Sequence, residues 1–530
     1  MSLSTDVLGS NPAALPSPRR QQKTILWPRW LQDRIAMARL EVPYQHSRSR
    51  PSLNYLKPIV KAYALAYLTS TIPKLPATAR LVLRSGLPIG RKLDLLKSVL
   101  SSAIGINRLP TSCAVIVGGS TILPHVVRDA LLWLCQYLSS RALRRLLYLL
   151  HQRSTLICSF LSAWLAFGLL NTDKSWARKR ADSQATQAQM QAAWESPNQH
   201  RRPPQMLYAG KTIDFTLFAA CRAIDVLVIT AWIRARGARL HPERLAPQLS
   251  RLAKRMADPS VFATSSAIIM WSWFYAPERL PKTYNHWISN IAQLDPRLFE
   301  ALRLCRKGDL VYGSEYSADA GLPSLCKELN LPEPWGTPAL TVPIPCELYH
   351  CGAGKSCEIH AGTRFLRTFR MAMRLYLPLQ LVSLLRNPTV TTQRLFNLLK
   401  DAARSSSFLA AFVSLFYYAV CLARTRLGPK LFSRSTVSPQ MWDSGLCVLA
   451  GCLACGWSIL LEKASRRQEI AFFVAPRALA TLLPRVYDKK HQVREQIAFA
   501  SSVAIVMTAV QSTDHHVRGV FGKILEQVLG

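Results

Sequence analysis

The sequence predicts an all-α, multi-pass helical membrane protein, arranged as two duplicated helix bundles. Three observations carry this. Mean hydropathy over the 530 residues is +0.09, whereas a water-soluble chain of this size needs a polar surface and a negative mean. The apolar residues arrive in blocks, the clearest being STLICSFLSAWLAFGLL at 154–170, which contains no charge. Lys and Arg number 67 against 30 Asp and Glu, a net charge of +37, and the basic residues bracket the blocks. Arg141, Arg144, Arg145 and Arg153 stand before 154–170 in this way, as cations do at helix ends against anionic lipid.

In chain order, residues 1–55 read as a basic, Pro- and Ser-rich disordered leader without the apolar core of a secretory signal. Residues 58–72 form a short apolar segment closed by Pro73, and 99–117 a small-residue span interrupted by Arg108 and Pro110. The block 154–170 ends at Asn171 and Asp173, and a polar loop runs from 173 to 212. Residues 213–233 are long enough to span but carry Asp214, Arg222 and Asp225, and 260–276 ends in an aromatic cluster suited to a membrane interface. The Pro- and Gly-rich stretch 277–345 reads as an aqueous connector. Apolar segments then follow at 375–385, 405–423, 445–461, 470–483 and 497–511. The resulting divisions are a leader at 1–55, a first bundle at 56–276, a polar connector with a Cys/His-rich loop at 277–363, and a second bundle at 364–530.

The duplication rests on two matching passages. The span at 153–170 leads through a basic loop to TIDFTLFAACRAIDVLV at 212–228, and the span at 443–461 leads through KASRRQ to EIAFFVAPRALATLL at 469–483. Each second segment has one central arginine, Arg222 or Arg477.

Several function classes are disfavoured. No helix-turn-helix, zinc-finger or RNA-binding signature accompanies the basic charge, so nucleic acid is not an expected partner. Thirteen cysteines, an odd number, irregularly spaced and partly inside apolar blocks, do not form a secreted disulfide framework. No Gly-x-Ser-x-Gly elbow and no H-E-x-x-H occurs, so no catalytic residue is assigned and the protein is expected not to be an enzyme.

The stretch PCELYHCGAGKSCEIH at 345–360, followed by FLRTFRMAMRLYLPLQLVSLL at 365–385, resembles the Cys-rich region of the transmembrane protein 135 family, also called peroxisomal membrane protein 52. ILLEKASRRQEIAFFVAPRAL at 459–479 is similar to the same family, and WFYAPERLPKTYNHWI at 273–288 to its fungal branch. The resemblance implies a multi-pass protein of the peroxisomal membrane, or alternatively the mitochondrial membrane. It also implies partial similarity to the pore subunits of the mitochondrial inner-membrane translocase, and a role in organelle dynamics and lipid homeostasis. Membrane lipids and the peroxisomal membrane import machinery are the partners it implies, and it leaves the oligomeric state open.

Two residue groups are candidate sites. Arg222 and Asp225, spaced i,i+3, are expected to pair. With Arg477 they would line a polar path or fix helix contacts, since an ionisable group in a span faces the bundle or a water-filled route. Glu469 and Glu462 are the expected partners of Arg477. Cys346, His350, Cys351, Cys357 and His360 offer thiolate and imidazole ligands. The set Cys346, His350, Cys357 and His360 is the candidate zinc site, although its spacing matches no standard finger. Otherwise no cofactor is expected. Three classes of function remain: a non-enzymatic organelle membrane protein, a transporter, and a lipid enzyme, the last lacking any evident nucleophile–base pair.

Overall fold

A computed structural model describes residues 56–84, 88–137, 140–172, 208–237, 247–382, 391–484, 487–512 and 517–530. The expected leader and most of the polar loop after Asn171 lie outside the described residues.

The helices that position the site are α1 (Leu56–Thr71), α2 (Leu109–Thr121), α3 (Leu123–Tyr137), α4 (Ser154–Asn171), α5 (Ile213–Gly237), α6 (Pro247–Tyr275), α7 (Pro296–Lys307), α8 (Cys346–Tyr349), α9 (Cys357–Val382), α10 (Thr392–Cys421), α11 (Cys447–Cys455), α12 (Ala464–Leu482), α13 (Gln492–Gln511) and α14 (Gly519–Leu529). Two short strands, β1 (Tyr208–Ala209) and β2 (Tyr487–Asp488), pair antiparallel and tie the approach to α5 to the approach to α13.

Among the described residues, six segments are long and apolar enough to cross a membrane: Leu109–Tyr137, Ser154–Asn171, Ile213–Arg234, Thr392–Arg426, Pro439–Leu461 and Lys489–Gln511. Their surfaces fit lipid. On α4, Ala163, Ala166 and Phe167 are buried while Leu161 and Leu165 are 54% and 58% exposed, so apolar side chains cover both faces. The protein is an all-α multi-pass membrane protein.

Four expected segments differ. The stretch 99–117 is not one span: a helix ends at Ser101, Arg108 is extended, and α2 begins at Leu109. Pro110 opens that helix rather than interrupting it, because its fixed φ and missing N–H suit the first turn. The stretch 260–276 is the C-terminal part of α6, which is not among the six apolar spans. Phe262, Ile269, Trp273 and Phe274 are instead packed in the protein core. Likewise, α9 and α12, which contain the segments expected near 375–385 and 470–483, are not among the six.

The helices form a row in which each touches the next: α1, α2, α4, α13, α5, α12, α6, α11, α10, α9. Helices from the stretches 56–276 and 364–530 therefore alternate, α4, α5 and α6 being interleaved with α13, α12 and α11. All described residues belong to one compact unit, Leu53–Gly530. Small residues permit the close crossings. A Cβ on Gly119 would sit 2.4 Å from the Ser162 Cβ, which is where α2 meets α4.

The connector is folded into this assembly. Leu298 on α7, Leu310, Leu322, Ile344 and Leu348 are fully buried against α6, α10 and α11 in the largest core cluster. This burial fixes the chain just before Cys346.

A candidate metal centre and a buried charge cluster

Residue spacing sets the first half of the site. Cys346 opens α8 and His350 follows its last residue, so the i,i+4 interval stacks the two side chains on one face. The chain then reverses through left-handed backbone at Cys351 (φ 49°), Gly352 (φ 83°) and Gly354 (φ 89°). That reversal returns Cys357, the first residue of α9, to the same place. The fourth group, Cys421, comes from the last residue of α10.

Four ligand atoms converge. Cys346 Sγ lies 3.5 Å from His350 Nε2, 3.8 Å from Cys357 Sγ and 3.6 Å from Cys421 Sγ. Cys421 Sγ is 3.7 Å from His350 Nε2. All four atoms fall within 4.8 Å of one another, and His350, Cys357 and Cys421 are buried. The other imidazole nitrogen, Nδ1, is 2.7 Å from the Gly354 carbonyl. A carbonyl only accepts, so Nδ1 donates, and the neutral ring then turns its Nε2 lone pair to the thiols.

The electrostatics favour charged sulfur at one position. The hydrogen bond shared with Cys421, opposed by burial and aided by His350, brings the Cys346 thiol down to about 4. Burial first, and then the Cys346 sulfur, push the Cys357 thiol up. Burial lowers the His350 pKa, but the Cys346 and Gly354 hydrogen bonds outweigh it and the net shift is upward.

His360 is not one of the four. Its ring stacks on His350 with centroids 4.6 Å apart and meets the Tyr417 ring edge-on at 5.6 Å. Burial, reinforced by Arg364 and His350, lowers its pKa to about 3. Cys351 Sγ points elsewhere, toward the Tyr349 carbonyl at 3.7 Å. The expected set is thus corrected at one member: Cys421 replaces His360. Sequence reading took Cys421 as a small apolar residue of the 405–423 block.

A fully buried ion pair stands beside the cluster. Arg424 Nε and Nη2 donate to Asp443 Oδ1 and Oδ2 at 2.5 and 2.8 Å, and Tyr312 donates to Asp443 Oδ2 at 2.5 Å. The guanidinium also lies over the Tyr349 ring, 4.3 Å from its centroid. This pair joins the end of α10, the approach to α11 and the connector.

Residues 346–486 match the family model of the N-terminal cysteine-rich region of Transmembrane protein 135. Over those residues the chain is similar to that family's cysteine-rich region. Cys346 is the first residue of the match, and the other three clustered residues, with Arg424 and Asp443, lie inside it. Although the family description places the region N-terminally, here it begins past the midpoint of the chain. No curated protein and no solved structure matches the chain.

The second candidate group is arranged differently from expectation. Arg222 is buried on α5 among the rings of Phe218, Phe472 and Phe521, with its Nη2 3.8 Å from Glu469 Oε2. It does not pair with Asp225, whose carboxylate instead accepts from Arg518, which also reaches Asp258 at 3.3 Å. Glu469 further accepts the Val520 N–H at 2.7 Å. Arg477 stays on its own helix, over the Phe473 ring at 3.7 Å and donating to the Phe473 carbonyl. Glu462, the other expected partner, accepts from Ser405 at 2.8 Å. Arg222, Asp225 and Arg477 therefore do not converge on one path.

Arg222 and Glu469 do line a cavity of about 650 Å³ between α5, α6, α10, α12 and the helix Lys282–Ala292. Its walls are otherwise mostly aromatic and aliphatic, including Phe262, Trp273, Phe412 and Phe416.

Proposed function

We propose that this protein is a non-enzymatic component of a peroxisomal or mitochondrial membrane that takes part in membrane organisation and lipid homeostasis by holding a lipid between its helices. The observation that supports this reading is the aromatic-lined cavity. Its volume falls within the range of ordinary ligand sites, roughly 300–1,000 Å³, and an apolar wall with few polar groups suits an acyl chain. The Arg222–Glu469 pair gives that wall one polar position where a headgroup can be oriented.

The test is lipid content. The full chain is purified in mild detergent, and co-purifying lipid is quantified by mass spectrometry against Ser266→Trp, which places a large ring in the cavity. The wild type is expected to retain a defined lipid in near-stoichiometric amount, and Ser266→Trp to lose it while remaining monodisperse. Equal lipid in both proteins would overturn the cavity as its site. Imaging with peroxisomal and mitochondrial markers tests location, and coincidence with neither would overturn that part.

A further inference from the structure

We propose that Cys346, His350, Cys357 and Cys421 bind one zinc ion that clamps the open end of the α9–α10 helical hairpin. The case starts from bond lengths. Zinc bonds sulfur at about 2.3 Å and imidazole nitrogen at about 2.0–2.1 Å, so a tetrahedral site has S–S edges near about 3.8 Å and S–N edges near about 3.5 Å. In the structure the S–S separations from Cys346 are 3.6 and 3.8 Å, and the S–N separations from Cys346 and Cys421 to His350 are 3.5 and 3.7 Å. Four of the six edges thus already have the length a zinc tetrahedron needs, and the two that Cys357 makes with His350 and Cys421 are no longer than 4.8 Å.

Donor chemistry narrows the metal. Three thiolates and one imidazole are soft ligands that disfavour calcium and magnesium, which take oxygen, and a four-coordinate S₃N set suits zinc. Four protein ligands make a closed site of the structural kind, with no position left for water or substrate. The His350 Nδ1 bond to the Gly354 carbonyl is the outer-shell contact that fixes the tautomer of a ligating imidazole. No two of these sulfurs are at disulfide distance, and all are free thiols among the described residues.

The consequence is mechanical. Helix α9 begins at Cys357 and α10 ends at Cys421, so one ion joins the free ends of an antiparallel pair. Through Cys346 and His350 it also fastens the connector to that pair. This inference is independent of the lipid reading.

The full-length chain, purified in detergent through a tag without histidine and with zinc supplied during expression, is assayed for metal by mass spectrometry. About one zinc per chain is expected, retained by His360→Gln and lost by Cys421→Ser. No zinc in the wild type, or undiminished zinc in Cys421→Ser, overturns the site. Because a ligand variant can misfold, the wild type is also alkylated before and after chelation. Cys346, Cys357 and Cys421 are expected to react at least about tenfold faster once the metal is removed. Unchanged alkylation at all three would overturn it equally.

Discussion

Cys421 Sγ lies 3.6 Å from Cys346 Sγ although 75 residues separate them in sequence. That contact brings the connector to the end of a membrane helix, and removing whatever holds it loosens both. Chelation of the purified protein is therefore expected to lower its thermal midpoint. A ligand present at about a thousand times its dissociation constant contributes about 4 kcal/mol, so the loss is large on the scale of a whole protein's stability. Thermal unfolding followed by circular dichroism, with and without chelator, reads it. Cys135→Ser, outside the cluster and half-exposed, should leave the chelator effect intact.

The Arg424–Asp443 pair has no exposed side and is expected to be costly to break. Removing one partner leaves a buried charge uncompensated, a loss of about 3–5 kcal/mol. Arg424→Met and Asp443→Leu should each destabilise by this order, whereas the double variant should recover a substantial part, because no lone charge remains. A double-mutant cycle in denaturant measures the coupling, and simple additivity of the two losses would contradict the pairing.

These particulars show what the sequence disclosed. Residues 154–170, 405–423, 445–461 and 497–511 were legible as spans because lipid selects local composition, and a window of chain contains all of it. Cys346, His350 and Cys357 were legible because one loop holds them. Cys421 was not, since a buried thiol in an apolar run looks the same whether it meets lipid, a neighbour or other thiols. Composition also fails to separate lipid from protein interior, which is why 260–276 read as a span. The Arg222–Asp225 pairing failed for a related reason. Helical spacing measures proximity on one helix, and Arg518 and Glu469 arrive from elsewhere in the chain.

The arginines that look equivalent in sequence should behave differently. Arg222 is buried among three rings and a carboxylate, and Arg477 keeps to its own helix surface. Buried cation–π contacts contribute about 2 kcal/mol or more, exposed ones about 0.5–1 kcal/mol. Arg222→Met is expected to lower the unfolding free energy by at least about 2 kcal/mol, and Arg477→Met by less than about 1 kcal/mol. Parallel denaturation of the two variants decides it, and equal losses would contradict the asymmetry.

Asp295 caps the N-terminus of α7, accepting the Arg297 N–H at 2.9 Å. Burial raises its pKa, but the Arg297 hydrogen bonds outweigh that and hold it below its ordinary 3.8. A depressed folded-state value means the stabilisation is present above the ordinary pKa and is lost as pH falls through the lower one. Asp295→Ala should cost about 1 kcal/mol near neutrality. The gap to wild type should close in acid below the ordinary value, which unfolding curves across that range would read.

Leu161 and Leu165 on α4 decide between lipid and water on the outer face. In water, replacing an exposed leucine by arginine alters stability by no more than about 0.5 kcal/mol. Near the centre of a membrane span, arginine instead opposes insertion by about 2.5–3.5 kcal/mol. Leu161 sits close to the middle of Ser154–Asn171, too far from either end for a long side chain to reach the headgroups easily. Leu161→Arg should therefore lower the inserted-to-translocated ratio of α4 about a hundredfold in a glycosylation-reporter assay, while Leu161→Phe leaves it unchanged. Equal insertion of the arginine variant would mean that this face of α4 meets water or another protein surface rather than acyl chains.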